Sequence, residues 1–277
     1  MPRDRDALRQ EFKARFDQDD PGGALESLLE LISLDGVTED RLLWKHRLLS
    51  DLGRHAEALE AALEIERVAE RKTPWNFIRI GEAYLALGQT DDAVDWIRQA
   101  ITERGFRHAR HLERAPFDAL SGHPQYAGLL DATARNTGGG AALPDFEVVL
   151  LDGRRLRLSD LRGSVVLVDF WSTICPPCVA EMPTLQRVYK ELADSGFTIL
   201  GISLDSDINA ARAFLVEHEI AWPSACSGDR WADKTAKLLN VHATPSMWLL
   251  DRQGVIRAFD LRGDDLGQAA RELLAQD

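Results

Sequence analysis

Three cysteines in 277 residues are too few to staple a secreted scaffold with disulfides. A close pair of them is therefore read as working chemistry rather than framework. Positive charge is also short. Only 33 Lys and Arg stand against 45 Asp and Glu, a formal net charge of -12, which argues against a nucleic-acid backbone or an anionic membrane surface as the main partner. Long apolar runs are missing too. The opening MPRDRDALRQEFKARFDQDD is charged throughout and holds no apolar stretch of signal-peptide length, and nowhere is there a run able to span a bilayer. A soluble, cytoplasmic protein is the expectation, although a chain trimmed of an export signal would read the same way. What is present is ample for real cores: 45% hydrophobic residues in a length that suits two ordinary domains.

The two halves of the chain differ in pattern. Up to about Asn136, apolar residues recur every three or four positions, as in ALESLLELI, AEALEAALEIERV and AVDWIRQAI, the period of amphipathic helices. Ala24, Ala58 and Ala93 follow one another at intervals of 34 and 35, with Leu25, Leu59 and Val94 beside them. Gly53 and Gly88 each precede the repeat alanine by five positions, where a helix C-cap is expected. These residues resemble the tetratricopeptide repeat, and the best copy, WNFIRIGEAYLALGQTDDAVDWIRQAI, has Gly81 and Tyr84 where that pattern wants a glycine and an aromatic. The first copy is expected to keep mainly its second helix, and residues 111–131 to form a cap on the stack. A generic helical bundle is the plainer alternative. Arg41, Lys45, Arg47 and Arg79 are candidates for holding an acidic peptide on such repeats, or are ordinary surface charge.

NTGGGAALP, residues 136–144, breaks the helical period with three consecutive glycines and Pro144. Beyond it come strand-like runs, FEVVLL, SVVLVDFW, FTILGISL and PSMWLLD, separated by helical stretches. This is the alternation of an α/β sheet domain.

Cys175 and Cys178 follow the apolar run VVLVDFW and open a helix expected to continue through Tyr189. At the first turn of a helix, unpaired N–H groups and the macrodipole stabilise an anion, so a cysteine there ionises readily. Cys175, nearer the helix end, is the expected nucleophile. Cys178, one turn on, is placed to resolve a mixed disulfide by attacking the sulfur of Cys175. Pro176 and Pro177 stiffen the turn between them. A metal site and inert packing compete with this reading. A structural zinc wants four ligands, and beyond the pair the chain offers only Cys226 and scattered histidines such as His218 and His242. Two cysteines at this spacing on a strand-to-helix junction are also untypical of packing.

Residues from about 143 to 277 resemble the thioredoxin superfamily, in particular its TlpA-like and ResA-like thiol-disulfide oxidoreductases. The resemblance rests on LPDFEVVLLDGRRLRLSDLRGSVVLVDFW, CPPCVAEMP and VHATPSMWLLDRQGVIRAF. It implies a cis proline at Pro245, with Thr244 before it lending its backbone to a substrate peptide. It also implies two acids near the disulfide. Asp169, six positions before Cys175, matches the buried acid of thioredoxins, where the TlpA-like group more often has Asn. Glu181, three after Cys178, matches an acid of some TlpA-like and ResA-like proteins. Either could take the proton of Cys178, with Asp169 the first choice because an acid ending an apolar strand is desolvated. Glu181 could equally be a solvated helix former. The chain departs from the family at Ile174, which stands where a tryptophan usually precedes the first cysteine, so altered partner docking is expected, with Trp171 remaining. Cys226 has no family role; it is either a buried small hydrophobe or an additional thiol.

The expected architecture is therefore multidomain: an all-α helical-repeat domain over 1–135, a glycine-rich linker over 136–142, and an α/β thioredoxin-fold domain over 143–277. The candidate catalytic residues are Cys175, Cys178, Asp169 and Glu181, with Trp171, Pro176, Pro177, Thr244 and Pro245 as candidate substrate contacts. No metal and no cofactor is expected beyond the redox-active disulfide itself. The expected partners are a disulfide-bearing protein substrate, an electron donor, and a peptide or protein held by the repeats, with no nucleic acid and no membrane span. Two other functions fit the text: an adaptor whose thioredoxin-like half is a platform, and a thiol peroxidase.

Overall fold

A computed structural model describes residues 4–276. The chain divides into two compact units, residues 1–136 and 137–277, one all-α and the other α/β, so the fold class is the expected one.

The first unit is built from helix hairpins: α1 (Arg5–Asp17) on α2 (Pro21–Asp35), α3 (Glu39–Asp51) on α4 (His55–Val68), and α5 (Pro74–Ala86) on α6 (Thr90–Thr102). The short α7 (Ala109–Leu112), a 3-10 turn over Phe117–Gly122 and α8 (Tyr126–Arg135) follow. The three repeat alanines lie on α2, α4 and α6, each at most 1% exposed. The close packing they allow is sharpest between α5 and α6, where a Cβ on Gly81 would stand 3.1 Å from Ile97 and 3.3 Å from the carbonyl of Ala93. Past α3 and α5, Gly53 and Gly88 take left-handed φ values. The N–H groups of the next residues, Arg54 and Gln89, bond back to Leu49 and Tyr84 at 2.9 and 3.0 Å, the Schellman closure of a helix end. The first hairpin is fuller than its sequence suggests. α1 is a complete helix with Leu8 its one fully buried residue, so its charged surface hides it from a periodicity reading.

The second unit begins with a hairpin of β1 (Glu147–Val149) and β2 (Arg155–Arg157). It continues through β3 (Val165–Trp171), α9 (Pro176–Leu192), β4 (Phe197–Ser203), α10 (Ile208–Glu217), β5 (Ser224–Cys226), α11 (Lys234–Leu238), β6 (Ser246–Leu250), β7 (Ile256–Phe259) and α12 (Gly263–Leu274). The five-stranded sheet runs β5-β4-β3-β6-β7, with β3, β4 and β5 parallel and β6 and β7 antiparallel to their neighbours. All seven residues of β3 are buried, the continuous apolar text of a strand covered on both faces. Successive side chains alternate. Val166, Val168 and Phe170 join the core on the hairpin side, while Val165, Leu167 and Trp171 join the core under α9 and α12. Asp169, between Leu167 and Trp171 in that alternation, therefore faces α9 and α12.

Residues 136–142, expected as a linker, are bonded into the two units. Asn136 donates to the carbonyls of Ile101 and Phe106, both at 2.8 Å. The glycine segment that follows runs along the outer side of β7, where Gly140 N–H donates to Ile256 and Ile256 N–H to Ala141, both at 2.8 Å, and Leu143 N–H to Gly254 at 3.1 Å. Gly138 and Gly140 have positive φ, so here the glycines shape a chain that covers an open sheet edge. On the opposite edge Leu150 bridges to Ala225 of β5.

Candidate active site

The C-terminal ends of the parallel strands β3 and β4 lie side by side, Trp171 opposite Ser203. The chain leaving β3 must turn within four residues to start α9, and a buried carboxylate holds that turn. Asp205, just past β4, accepts from Ser172 Oγ (2.9 Å), Thr173 Oγ1 (2.7 Å), Thr173 N–H (3.0 Å) and Ser203 Oγ (2.7 Å). The sequence reading did not single out Asp205. Its signal was available, since polar residues just beyond two adjacent parallel strands meet at the sheet's functional edge. Replacing Asp205 with alanine is expected to lower stability by about 3 kcal/mol, because four donors lose a buried charged acceptor. Denaturant unfolding checks this, and an unchanged midpoint would contradict the assignment.

Cys175 is the N-cap of α9, with Pro176 and Pro177 in its first turn. It is joined to Cys178 in a disulfide with Cα atoms 5.2 Å apart. Sγ of Cys175 accepts from Cys178 N–H at 3.3 Å, the helix-end contact that stabilises a thiolate once the bond is opened. Cys175 is 9% exposed and Cys178 only 1%, so the first cysteine is the less buried of the two. Around them Pro176, Pro177 and Ile174 are exposed, Ile174 by 74%. Thr244 and Pro245 are half-buried, and the peptide bond between them is cis.

Trp171 stands elsewhere than expected. It is 1% exposed and tilted against Phe214, with ring centroids 5.1 Å apart. It belongs to the core beneath the disulfide and has no face open to a docking partner, because the alternation of β3 points it inward under α9. A side chain on Gly201, which pairs with Asp169, would crowd the indole nitrogens of both Trp171 and Trp222.

Asp169 is 1% exposed, and its Oδ1 has no hydrogen-bond partner. Burial pushes its pKa up to about 7. The Arg262 cation pulls the other way, and Glu181 and Asp260 add to the rise. Glu181 is neither free nor fully solvated. It is half-buried, and its Oε1 accepts from Gly263 N–H at 2.8 Å, capping the start of α12. Arg262 and Asp260 were also absent from the sequence reading, and their signal is non-local: they lie beyond β7 and reach the site only through the β6–β7 pairing. Cys226 is buried and unpaired, its thiol 3.6 Å from the carbonyl of Asp205.

Among the described residues, no group of three His, Cys, Asp or Glu side chains is placed to hold a metal, and no helix is long and apolar enough to cross a membrane. In the helical unit, Arg47 and Arg79 line a groove of about 690 Å³ with Trp44, His46 and His55. Arg79 Nη1 is buried there without a partner. Arg41, by contrast, is tied to Asp35 and Gly36, both at 2.8 Å, and Lys45 is not part of the groove's lining.

Residues 140–259 match the model of the AhpC/TSA family. Thiol-disulfide oxidoreductase ResA of Bacillus cereus is 29% identical over 120 residues, which is 42% of this chain and 66% of that protein. Thioredoxin-like protein YneN of Bacillus subtilis is 32% identical over 123 residues, 43% of this chain and 68% of that protein. Among solved structures, the thioredoxin domain of a thiol-disulfide oxidoreductase from Bacteroides vulgatus is 30% identical and covers 49% of this chain and 97% of its own, with a TM-score of 0.46. The chain thus spans about two thirds of the length of the two curated relatives.

Proposed function

This chain belongs to the thioredoxin-like family of thiol-disulfide oxidoreductases that includes ResA, and from that premise we propose that it reduces disulfides of partner proteins recruited through its helical repeats. The observation that carries the reading is the Cys175–Cys178 disulfide at the head of α9, on the sheet face that also holds a buried acid of raised pKa. In the reduced protein, the Cys175 thiolate attacks one sulfur of the substrate disulfide and releases the other as a thiolate, leaving a mixed disulfide. Cys178 gives its proton to Asp169, directly or through a water, and attacks Sγ of Cys175. The intermolecular bond breaks, the second substrate thiolate leaves, and two electrons have passed from protein to substrate. A donor dithiol then restores the pair. Where the surroundings are reducing, as in the expected cytoplasmic setting, the dithiol form predominates and the flow is toward the substrate.

Thr244 and Pro245, with exposed Pro176 and Pro177, supply the substrate-facing rim, and exposed Ile174 offers an apolar contact there. The groove of the helical unit supports recruitment of a peptide; it is lined by Asp40, Asp51 and Glu82 as well as Arg47 and Arg79, and the unpartnered Arg79 nitrogen inside it is the group open to a peptide carboxylate. An adaptor without redox function makes use of the same groove, and a thiol peroxidase is favoured only by the AhpC/TSA match. The test is reduction of insulin disulfides with a dithiol as terminal donor. Wild type is expected to be active and the double variant Cys175→Ser, Cys178→Ser inactive. Activity surviving the double replacement would refute the assignment, and peroxide consumption without disulfide reduction would favour the peroxidase.

A further inference from the structure

Arg262 stands where three parts of the site meet. One guanidinium nitrogen, Nη2, donates to the carbonyl of Pro245 at 2.9 Å and pairs with Asp260, while Nη1 lies 3.1 Å from Sδ of Met247. Met247 faces Asp169 across the β3–β6 pairing. The next residue, Gly263, gives its N–H to Glu181 of α9. Asp260 holds its place with a left-handed φ of 59° and an N–H bond of 2.7 Å to Met247 O. One side chain thus links the cis-proline turn, the strand beside the buried acid and the start of α12.

We propose that Arg262 is a positioning residue of disulfide exchange, its guanidinium fixing the Pro245 carbonyl and resting against Met247, the residue paired with Asp169 across the sheet. The inference rests on the reading of Asp169 as proton acceptor. The charged groups bearing on Asp169 are Glu181 from α9, with Asp260 and Arg262 from the segment after β7. The two acids oppose its ionisation and Arg262 alone favours it. Asp264 of α12 is exposed and paired with Arg187 at 2.8 Å. Without the cation, Asp169 would face two carboxylates from a desolvated position, and its proton would leave only at higher pH. The fork matters separately from the charge. One arm, Nη2, holds the Pro245 carbonyl and pairs with Asp260 while the other, Nη1, lies against Met247, a spread that a lysine's single ammonium does not reproduce, and the Pro245 carbonyl belongs to the turn proposed to receive the substrate chain.

Two substitutions separate the roles. Arg262→Lys keeps the charge and loses the fork, and Arg262→Met loses both. Each is assayed by insulin reduction, KM and kcat taken across pH, beside Asp169→Asn, with circular dichroism to confirm folding. Arg262→Met is expected to move the acid limb of kcat up by about one pH unit and to raise KM about threefold or more. Arg262→Lys is expected to restore the limb while KM stays raised. A wild-type KM in Arg262→Lys overturns the positioning role whatever happens at Asp169. An unmoved limb in Arg262→Met, with the limb abolished in Asp169→Asn, overturns the electrostatic role and leaves the acceptor reading standing. A limb that persists in Asp169→Asn overturns the acceptor reading itself and, with it, the electrostatic role of Arg262.

Discussion

Cys178→Ser is expected to trap the protein on its substrate. With the resolving thiol gone, the Cys175 thiolate still attacks a substrate disulfide, but nothing within the site releases it. A covalent adduct should accumulate on a non-reducing gel and disappear with dithiothreitol. Turnover should fall by about a thousandfold or more, the scale seen when one member of a nucleophilic unit is removed. Cys175→Ser should lose turnover to the same extent but form no adduct through Cys178, because the remaining cysteine of the pair is the buried one, 1% exposed against 9% for Cys175. The asymmetry is the informative part. An adduct through Cys178 in the Cys175→Ser variant would reverse the roles, and equal adducts in both variants would mean that neither helix position nor exposure selects the nucleophile.

Asp169→Asn is expected to slow turnover and stabilise the fold at once. Loss of a positioned proton acceptor lowers the rate by about a hundredfold, read as slower release from the mixed disulfide. Stability follows from the raised pKa. In the unfolded chain the carboxyl ionises near pH 4, but in the folded oxidised protein it holds its proton up to about 7. Between those values the folded state binds more protons than the unfolded state, so folding weakens as pH rises through that window. Above about pH 7 the native protein carries a buried carboxylate whose Oδ1 lacks a hydrogen bond. Asn has no such charge. The variant should therefore match or trail wild type near pH 4 and gain on it with rising pH, by about 4 kcal/mol at pH 8. Denaturant unfolding of the oxidised forms across this range checks it. Parallel stability curves for the two proteins would show that Asp169 is not held protonated. A residue that weakens the fold while serving the chemistry is the usual trade at a working site.

The parts of this molecule legible in its sequence are those governed by local pattern. Helical period and the 34- and 35-residue spacing of Ala24, Ala58 and Ala93 led to the helix hairpins. The apolar text of residues 165–171 led to the central strand, and the two cysteines to its junction with α9. What escaped was set by contacts distant in sequence. Asp205 reaches Ser172 and Thr173 because β3 and β4 are parallel neighbours in register. Arg262 reaches Pro245 because β6 and β7 turn back on the sheet. Glu181 looked like either a base or a solvated helix residue, and its bond to Gly263, 82 positions away, makes it a cap. Trp171 was misplaced for a different reason. An aromatic near a site suggests a docking contact, but the alternation along β3 puts it on the inner face with Leu167. The glycine run over 138–140 signalled freedom, yet in the fold it follows the outer side of β7, a use of glycine that composition alone does not separate from a linker.

The central claim is that Cys175 and Cys178 form a working redox couple, and the most direct measurement is its equilibrium with dithiothreitol or glutathione buffers of graded ratio, trapping free thiols at each. The account predicts a reversible two-electron transition confined to these two cysteines, with Cys226 reduced throughout and the thiolate pKa of Cys175 below that of a free thiol. Thiols that remain unpaired in every buffer, or a pair that never reopens, would contradict it.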